Sequence, residues 1–322
     1  MPLVPLTDDP ASFAHARLAV ARPRLPDGLE IVKELGKGSN NKVFRATWDG
    51  EDCALRAPRR GSDTQQKGSA VWEFRHTLKA SQLGVGPRVY AAWHARHAHR
   101  GWPSGLYVIT ELLDNDLDDV LGSAALRARA PPAALGAALV RCLKALADEL
   151  IFVFDLKPSN VMVRLAREGE GDDVEARIID FGRDFCEWAG CEQEPDSNTP
   201  VVTMLRKRVR ARQDVTHSQE EVDAVVSHVL FAAMLVQLAA TTTHCLYRDR
   251  RDHRLGAEER AAANPVAPLA AALLDSMQAR NVALVREVLR VDAVRGVLRH
   301  YHGRRNAGTH RTLGFARGVD ER

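Results

Sequence analysis

The hydrophobic positions of this chain are laid out in two styles. Up to about residue 113 they come in short groups separated by turns, and beyond Asp114 in longer helical runs. Ile31, Val32 and Leu35 precede a glycine-rich turn, and Val43, Phe44, Ala46 and Trp48 follow it. Cys53-Ala54-Leu55 comes after the turn Trp48-Asp49-Gly50-Glu51-Asp52. This predicts a strand, loop, strand, turn, strand series. Residues 63–82 take helical spacing, with Val71, Phe74 and Leu78 on one face. Gly84-Val85-Gly86-Pro87 predicts the end of that helix, because glycine and proline both interrupt it. Val89–Trp93 and Leu106–Leu113 read as two further strands, giving five strands and one helix.

Ala133–Leu150 is an Ala/Leu-rich helix whose start is marked by Pro131-Pro132. Val161–Val163 and Arg177–Ile179 are short strands around an acidic turn, Glu168-Gly169-Glu170-Gly171-Asp172-Asp173. Residues 219–240 and 256–302 are helical. Residues 1–28 hold five prolines and read as a loosely ordered leader with a short helical stretch around Ala11–Ala21. Residues 303–322 read as a basic, frayed tail. One domain over 29–302 remains, with a small part at 29–113 and a large part at 114–302.

Bulk numbers narrow the function class. A net charge of +3 over 322 residues implies no dedicated nucleic-acid binder. Five cysteines without a CxxC argue against a disulfide framework or zinc site, and Cys186 and Cys191 read as free thiols in a reducing compartment in preference to a redox pair. The N-terminus lacks the pattern of a secretory signal. The longest apolar run, Val225 to Ala240, is interrupted by Ser227, His228 and Gln237 and predicts a buried helix, not a membrane span. The expected location is intracellular, cytoplasmic or nuclear.

The chemistry concentrates in two strings. Phe154-Asp155-Leu156-Lys157-Pro158-Ser159-Asn160 offers a carboxylate, a lysine two residues on and an amide five residues on. Asp180-Phe181-Gly182 follows twenty residues later with a second carboxylate. Phosphoryl transfer needs such a set: a carboxylate to orient the hydroxyl, a cation for the moving phosphate, and an Asn/Asp pair for magnesium. Order and spacing resemble the catalytic loop and D-F-G motif of the eukaryotic-type protein kinases. The resemblance runs from about Leu29 to about His302. It implies an α+β, bilobal fold, with a small lobe of five antiparallel strands plus one helix and a large, mostly helical lobe. It further implies that Asp155 orients the substrate hydroxyl, that Lys157 contacts the transferring phosphate, and that Asn160 and Asp180 hold Mg²⁺.

The first part carries the matching nucleotide features. Leu35-Gly36-Lys37-Gly38-Ser39-Asn40-Asn41-Lys42-Val43 has two close glycines between strands, as the kinase glycine loop does. By resemblance Gly36, Gly38 and Ser39 approach the ATP phosphates, and Val43 and Ala54 line the base. Glu111 and Leu113 offer it backbone bonds beside a small gatekeeper, Thr110. Asn41 replaces the third glycine. Cys53-Ala54-Leu55-Arg56 places Arg56 where the phosphate-anchoring lysine belongs, and an arginine is not a conservative exchange at a shaped site. Glu73 is the helix glutamate that would pair with it. Lys42 is a candidate substitute cation, although strand alternation turns it away from the face of Asn41 and Val43.

The implied activity is ATP- and Mg²⁺-dependent phosphorylation of serine or threonine on a protein, with Lys157-Pro158 favouring that acceptor. Arg56 and the absence of an A-P-E string favour a pseudokinase that binds a partner without chemistry. Gly84-Val85-Gly86-Pro87-Arg88-Val89-Tyr90 has the flavour of small-molecule kinases, a third reading. Phe154 replaces the arginine that would bind an activation-loop phosphate. Asp223 fits the aspartate that anchors the catalytic loop from the large helix. The run Arg206–Arg212 reads as a solvated face, a docking surface for an acidic substrate, or a nuclear-localisation patch.

Overall fold

The computed structural model describes residues 20–21, 25–37, 41–59, 67–95, 102–165, 174–182, 186–188, 201–211, 218–248 and 264–302. The chain divides into two compact units, Met1–Asp114 with Ile178–Arg183, and Asn115–Arg177 with Asp184–Arg322.

The first unit is built on a sheet of β1 (Val20–Ala21), β2 (Leu29–Lys37), β3 (Asn41–Trp48), β4 (Glu51–Pro58), β5 (Val89–Ala95) and β6 (Gly105–Glu111). The strand order is β1-β5-β6-β4-β3-β2. The strands β2 to β6 form the expected five-stranded antiparallel array. The sixth strand, β1, lies parallel to β5, so the described end of the Ala11–Ala21 stretch is strand and not helix. Asp49 and Gly50, the two residues between β3 and β4, both have positive φ (52° and 87°). A type I′ hairpin requires this, and it explains why Asp-Gly stands there.

One sheet face buries Ala46, Cys53, Leu55, Trp93, Tyr107 and Ile109, with Trp93 stacked on Tyr107 at 5.0 Å. The other face receives helix α1 (Lys67–Gln82), whose Phe74 and Leu78 pack on Val89 and Val108. Val71, assigned to the same stripe by spacing, has its side chain outside the described residues. The helix stops as its sequence predicts. Val85 and Gly86 donate to the Ala80 carbonyl, Gly84 takes φ +69°, and a Cβ on Gly86 would lie 2.7 Å from that of Ala80. The Gly-Val-Gly-Pro string is therefore a helix stop with a tight approach.

The second unit is mostly helical. It contains α2 (Leu117–Gly122), α3 (Ala124–Arg129), α4 (Pro132–Asp148), α5 (Val201–Ala211), α6 (Gln219–Arg248), α7 (Ala267–Ser276), α8 (Ala279–Leu289) and α9 (Asp292–His302). Short strands β7 (Asn115–Asp116), β8 (Ile151–Val153), β9 (Val161–Leu165), β10 (Val174–Ile178) and β11 (Cys186–Trp188) complete it. The predicted run 256–302 is, in its described part, three helices. α5 and β11 were not predicted. α6 is the axis of this unit, packed by α4, α5, α7, α8 and α9. Its charge-free stretch continues past Ala240 to Tyr247, longer than the predicted run. Gln219–Leu246 is long and apolar enough to cross a membrane, yet 67% of its most apolar window is buried inside the protein. The described residues are thus α+β, a sheet with one helix in the first unit and a mostly helical second unit.

Candidate active site

The second unit supplies the catalytic string. β8 is wholly buried and pairs with β11, Val153 opposite Cys186. The chain leaves β8 through Phe154, whose ring meets Phe152 edge-on at 5.1 Å. Asp155 follows at 6% exposure. Lys157 Nζ lies 2.5 Å from Asp155 Oδ2. Asn160 Nδ2 donates to Asp155 Oδ2 at 3.2 Å and to the Asp155 carbonyl at 2.9 Å. Pro158–Asn160 form a 3-10 turn closed by Asn160 N–H on the Lys157 carbonyl, which returns the amide beneath the carboxylate. The three side chains thus form one bonded cluster, with both side-chain contacts on Asp155 Oδ2.

The loop is anchored from α6, but not by Asp223. That carboxylate accepts from Arg206 Nε and Nη2 at 2.7 and 2.9 Å and from Gln219 at 2.8 Å. Asp223 lies near the start of α6, where the Arg206 guanidinium of α5 satisfies it, about four turns from the side chains that meet the loop. Two buried α6 side chains reach the loop instead. Gln237 Nε2 donates to the Phe154 carbonyl at 2.5 Å, and Thr241 Oγ1 lies 3.3 Å from the Leu156 carbonyl. Sequence reading missed both, because neither has a motif and each identifies itself only through the carbonyl it meets.

The first unit holds Arg56, the residue expected at the nucleotide phosphates. Val43 stands opposite Arg56 in the β3–β4 register, so Asn41, Val43, Ala54 and Arg56 share a face. Arg56 in turn stands opposite Val108, against which α1 packs, and this carries Glu73 to the guanidinium. Arg56 Nη2 is ion-paired with Glu73 Oε1. Turned with its oxygen toward Arg56, the Asn41 amide accepts from Nη2 at 2.5 Å and from Nε at 3.1 Å. Lys42 points to the opposite face, where Nζ sits 2.6 Å from Glu34.

The other predicted nucleotide residues are placed as follows. Gly36 lies on β2 with open space where a Cβ would stand. Gly38 and Ser39 lie outside the described residues. Glu111 and Arg88 exchange two bonds, Glu111 N–H to the Arg88 carbonyl and Arg88 N–H to the Glu111 carboxylate. The Glu111 carbonyl has Thr110 Oγ1 at 3.2 Å, and Leu113 is half-buried. Asp180 has φ +67°, a left-handed conformation that is costly for a side chain with a Cβ and is typical of functional positions. Phe181 beside it is buried, and Ile178 N–H bonds the Val85 carbonyl.

A magnesium ion prefers oxygen donors and commonly takes one or two protein ligands beside phosphate oxygens. Asn160 in the second unit and Asp180 in the first each carry a side-chain oxygen of that kind, and the two hydrogen bonds that Asn160 Nδ2 donates to Asp155 leave Oδ1 as the Asn160 atom for such a ligand. Among the described residues no three His, Cys, Asp or Glu side chains cluster as a self-sufficient metal site.

Glu187, on β11, is a second residue that sequence reading missed. It is buried and accepts from the N–H groups of Val201 and Val202 at 2.6 and 3.0 Å, capping α5. Burial pushes its carboxyl up to about 7, against the pull of those two bonds and of Arg206. The basic run lies on α5 up to Ala211, and Arg212 lies outside the described residues. Arg206 faces Asp223, Arg208 faces Glu287 at 3.4 Å, and Arg210 bonds Gln219.

No protein-family model matches the chain, and no curated protein matches it. Among solved structures, the crystal structure of a BubR1 kinase domain aligns with a TM-score of 0.40 and 18% identity. The alignment covers 67% of this chain and 66% of that one, so the chain spans just under two thirds of the length of the neighbour.

Proposed function

We propose that this chain is an ATP- and Mg²⁺-dependent phosphotransferase that moves the γ-phosphoryl group onto a serine or threonine hydroxyl of a protein. The observation that carries the reading is the bond set of Asp155, with Lys157 and Asn160 both on Oδ2. In this scheme Asp155 Oδ1 receives the proton of the acceptor hydroxyl as its oxygen attacks phosphorus. Lys157, held by Asp155, offsets charge on the phosphoryl oxygens in flight. Asn160 and Asp180 would hold Mg²⁺, which supplies charge neutralisation at the phosphates when bound. Arg56 presents its remaining N–H groups to phosphate oxygens.

A protein acceptor is favoured over a small molecule because Gly84–Tyr90 is accounted for as the stop of α1. The run Arg206–Arg212 is not offered as the docking surface for that protein, since three of its arginines already face groups of their own chain. The expected setting is the cytoplasm or nucleus, without a membrane partner.

A pseudokinase is the second reading. It is favoured by the guanidinium of Arg56 being engaged by both Glu73 and Asn41 while Lys42 is engaged by Glu34. Transfer of labelled γ-phosphate to a generic protein substrate separates the two, with Asp180→Asn as the background. Transfer above that background supports the enzyme. Nucleotide binding without transfer establishes the second reading.

A further inference from the structure

We infer that Gln237, assisted by Thr241, is a positioning residue that fixes the height of Asp155 by holding the two backbone carbonyls on either side of it. The predicted effect on rate rests on the phosphotransfer reading, and the effect on the loop does not.

The carbonyls of Phe154 and Leu156 flank Asp155. Gln237 Nε2 donates to the first at 2.5 Å. Thr241 Oγ1 is within 3.3 Å of the second, and also within 3.0 and 3.1 Å of the Gln237 and Leu238 carbonyls of its own helix. A hydroxyl has one proton to share among the three, so Gln237 is the principal contact. The two residues are four apart, one helical turn, and so share a helix face from which they address alternate carbonyls of the loop.

Gln237 is wholly buried, and its Oε1 has no partner among the described residues. Burying an amide with one end unsatisfied costs stability, so packing alone would be served better by an apolar side chain of that length. The donor bond to Phe154 is what the amide supplies. It issues from the most deeply packed helix of the unit, so the loop inherits the rigidity of the core. Asp223, the position expected to do this work, lies 14 residues earlier, about 21 Å away along the helix axis. The polarity is also reversed. A carboxylate would accept from loop N–H groups, whereas this helix donates to loop carbonyls.

The test uses the full chain and the variants Gln237→Met, Gln237→Glu and Thr241→Val. Methionine keeps the length and removes both the unsatisfied Oε1 and the donor to Phe154, two changes that offset, so its melting temperature should stay near that of the wild type. Amide exchange at residues 155–160 should accelerate, with exchange elsewhere in α6 unchanged. kcat should fall about tenfold to a hundredfold, as a misplacement near 1 Å does, with the KM for ATP within about twofold. Gln237→Glu donates only while its carboxyl is protonated, so its rate should recover toward low pH and fall as pH rises. Unchanged exchange at 155–160 in Gln237→Met, or an unchanged kcat, overturns the inference. If the wild type transfers no phosphate, the phosphotransfer reading falls, and the exchange experiment alone decides the positioning role. If Gln237→Met does not fold, Gln237→Glu with its carboxyl ionised gives the same comparison, since it cannot donate, and wild-type exchange at 155–160 there overturns the inference; Thr241→Val should give the smaller effect of a shared proton.

Discussion

Asn41 lies diagonally across the β3–β4 pair from Arg56, and its amide oxygen accepts from both Nη2 and Nε of the guanidinium. The protein-kinase pattern that the sequence resembles has a glycine and a lysine at these two positions. This chain departs from it at both, and the two departures touch. The third side of the group is closed by Glu73. A lysine could meet Glu73 but has no planar fork to satisfy Asn41 as well.

On sequence alone, Arg56→Lys would be expected to speed transfer. The observed bracing reverses that expectation. Arg56→Lys should lower ATP affinity and turnover about tenfold, and Asn41→Gly should lower them severalfold through a freer guanidinium. The double variant should recover part of the loss, with a coupling of about 1 kcal/mol, as bonded neighbours show. A double-mutant cycle on ATP affinity by calorimetry checks this, and strict additivity would contradict it.

Asp155→Asn should reduce turnover by about 10²–10⁴, the usual worth of a positioned base, with ATP affinity near that of the wild type. Single-turnover transfer and a nucleotide titration on one preparation measure both. Equal turnover would remove Asp155 from the proton path.

ATP affinity should depend on Mg²⁺ through Asn160 and Asp180. Chelation should weaken binding to the wild type, and Asp180→Asn should weaken it in Mg²⁺ with little further loss on chelation. Calorimetric titrations with and without chelator test this, and a wild type indifferent to Mg²⁺ would refute the metal assignment.

Two buried groups should give the units opposite pH responses. The folded value of Glu187, about 7, lies above its ordinary 4.5. Its contribution is full below about 4.5 and is lost as pH rises to about 7, amounting to roughly 3 kcal/mol. His76 is held down to about 4 from 6.5, mainly by burial in α1. Its contribution is full above about 6.5 and is lost as pH falls toward 4. Glu187→Gln should therefore stabilise the chain most above pH 7, and His76→Leu should flatten the loss on acidification. Denaturant melts from pH 4 to 8 report both, and parallel curves for all three proteins would exclude the assignment.

The sheet of the first unit was legible because its signals are local: Asp49-Gly50 for the hairpin, Gly84 to Pro87 for the helix stop, and Phe74 and Leu78 for the buried stripe. The string from Asp155 to Asn160 was legible for the same reason, since its hydrogen bonds close within six residues. What escaped is non-local. Glu187 meets Val201 across 14 residues and Gln237 meets Phe154 across 83, and neither spacing has a period. Asp223 was misassigned because an aspartate early in a long helix fits two partners, and only the fold brings Arg206 beside it.

α6 joins the core of the second unit to the loop that carries Asp155. Heat inactivation and melting of that unit should therefore be a single cooperative event, with no partly active intermediate in between. Substitutions far along α6 that loosen its packing should lower the temperature at which activity disappears by as much as they lower the melting point. For the same reason a stabilised α6 is the simplest route to a longer-lived Asp155 loop.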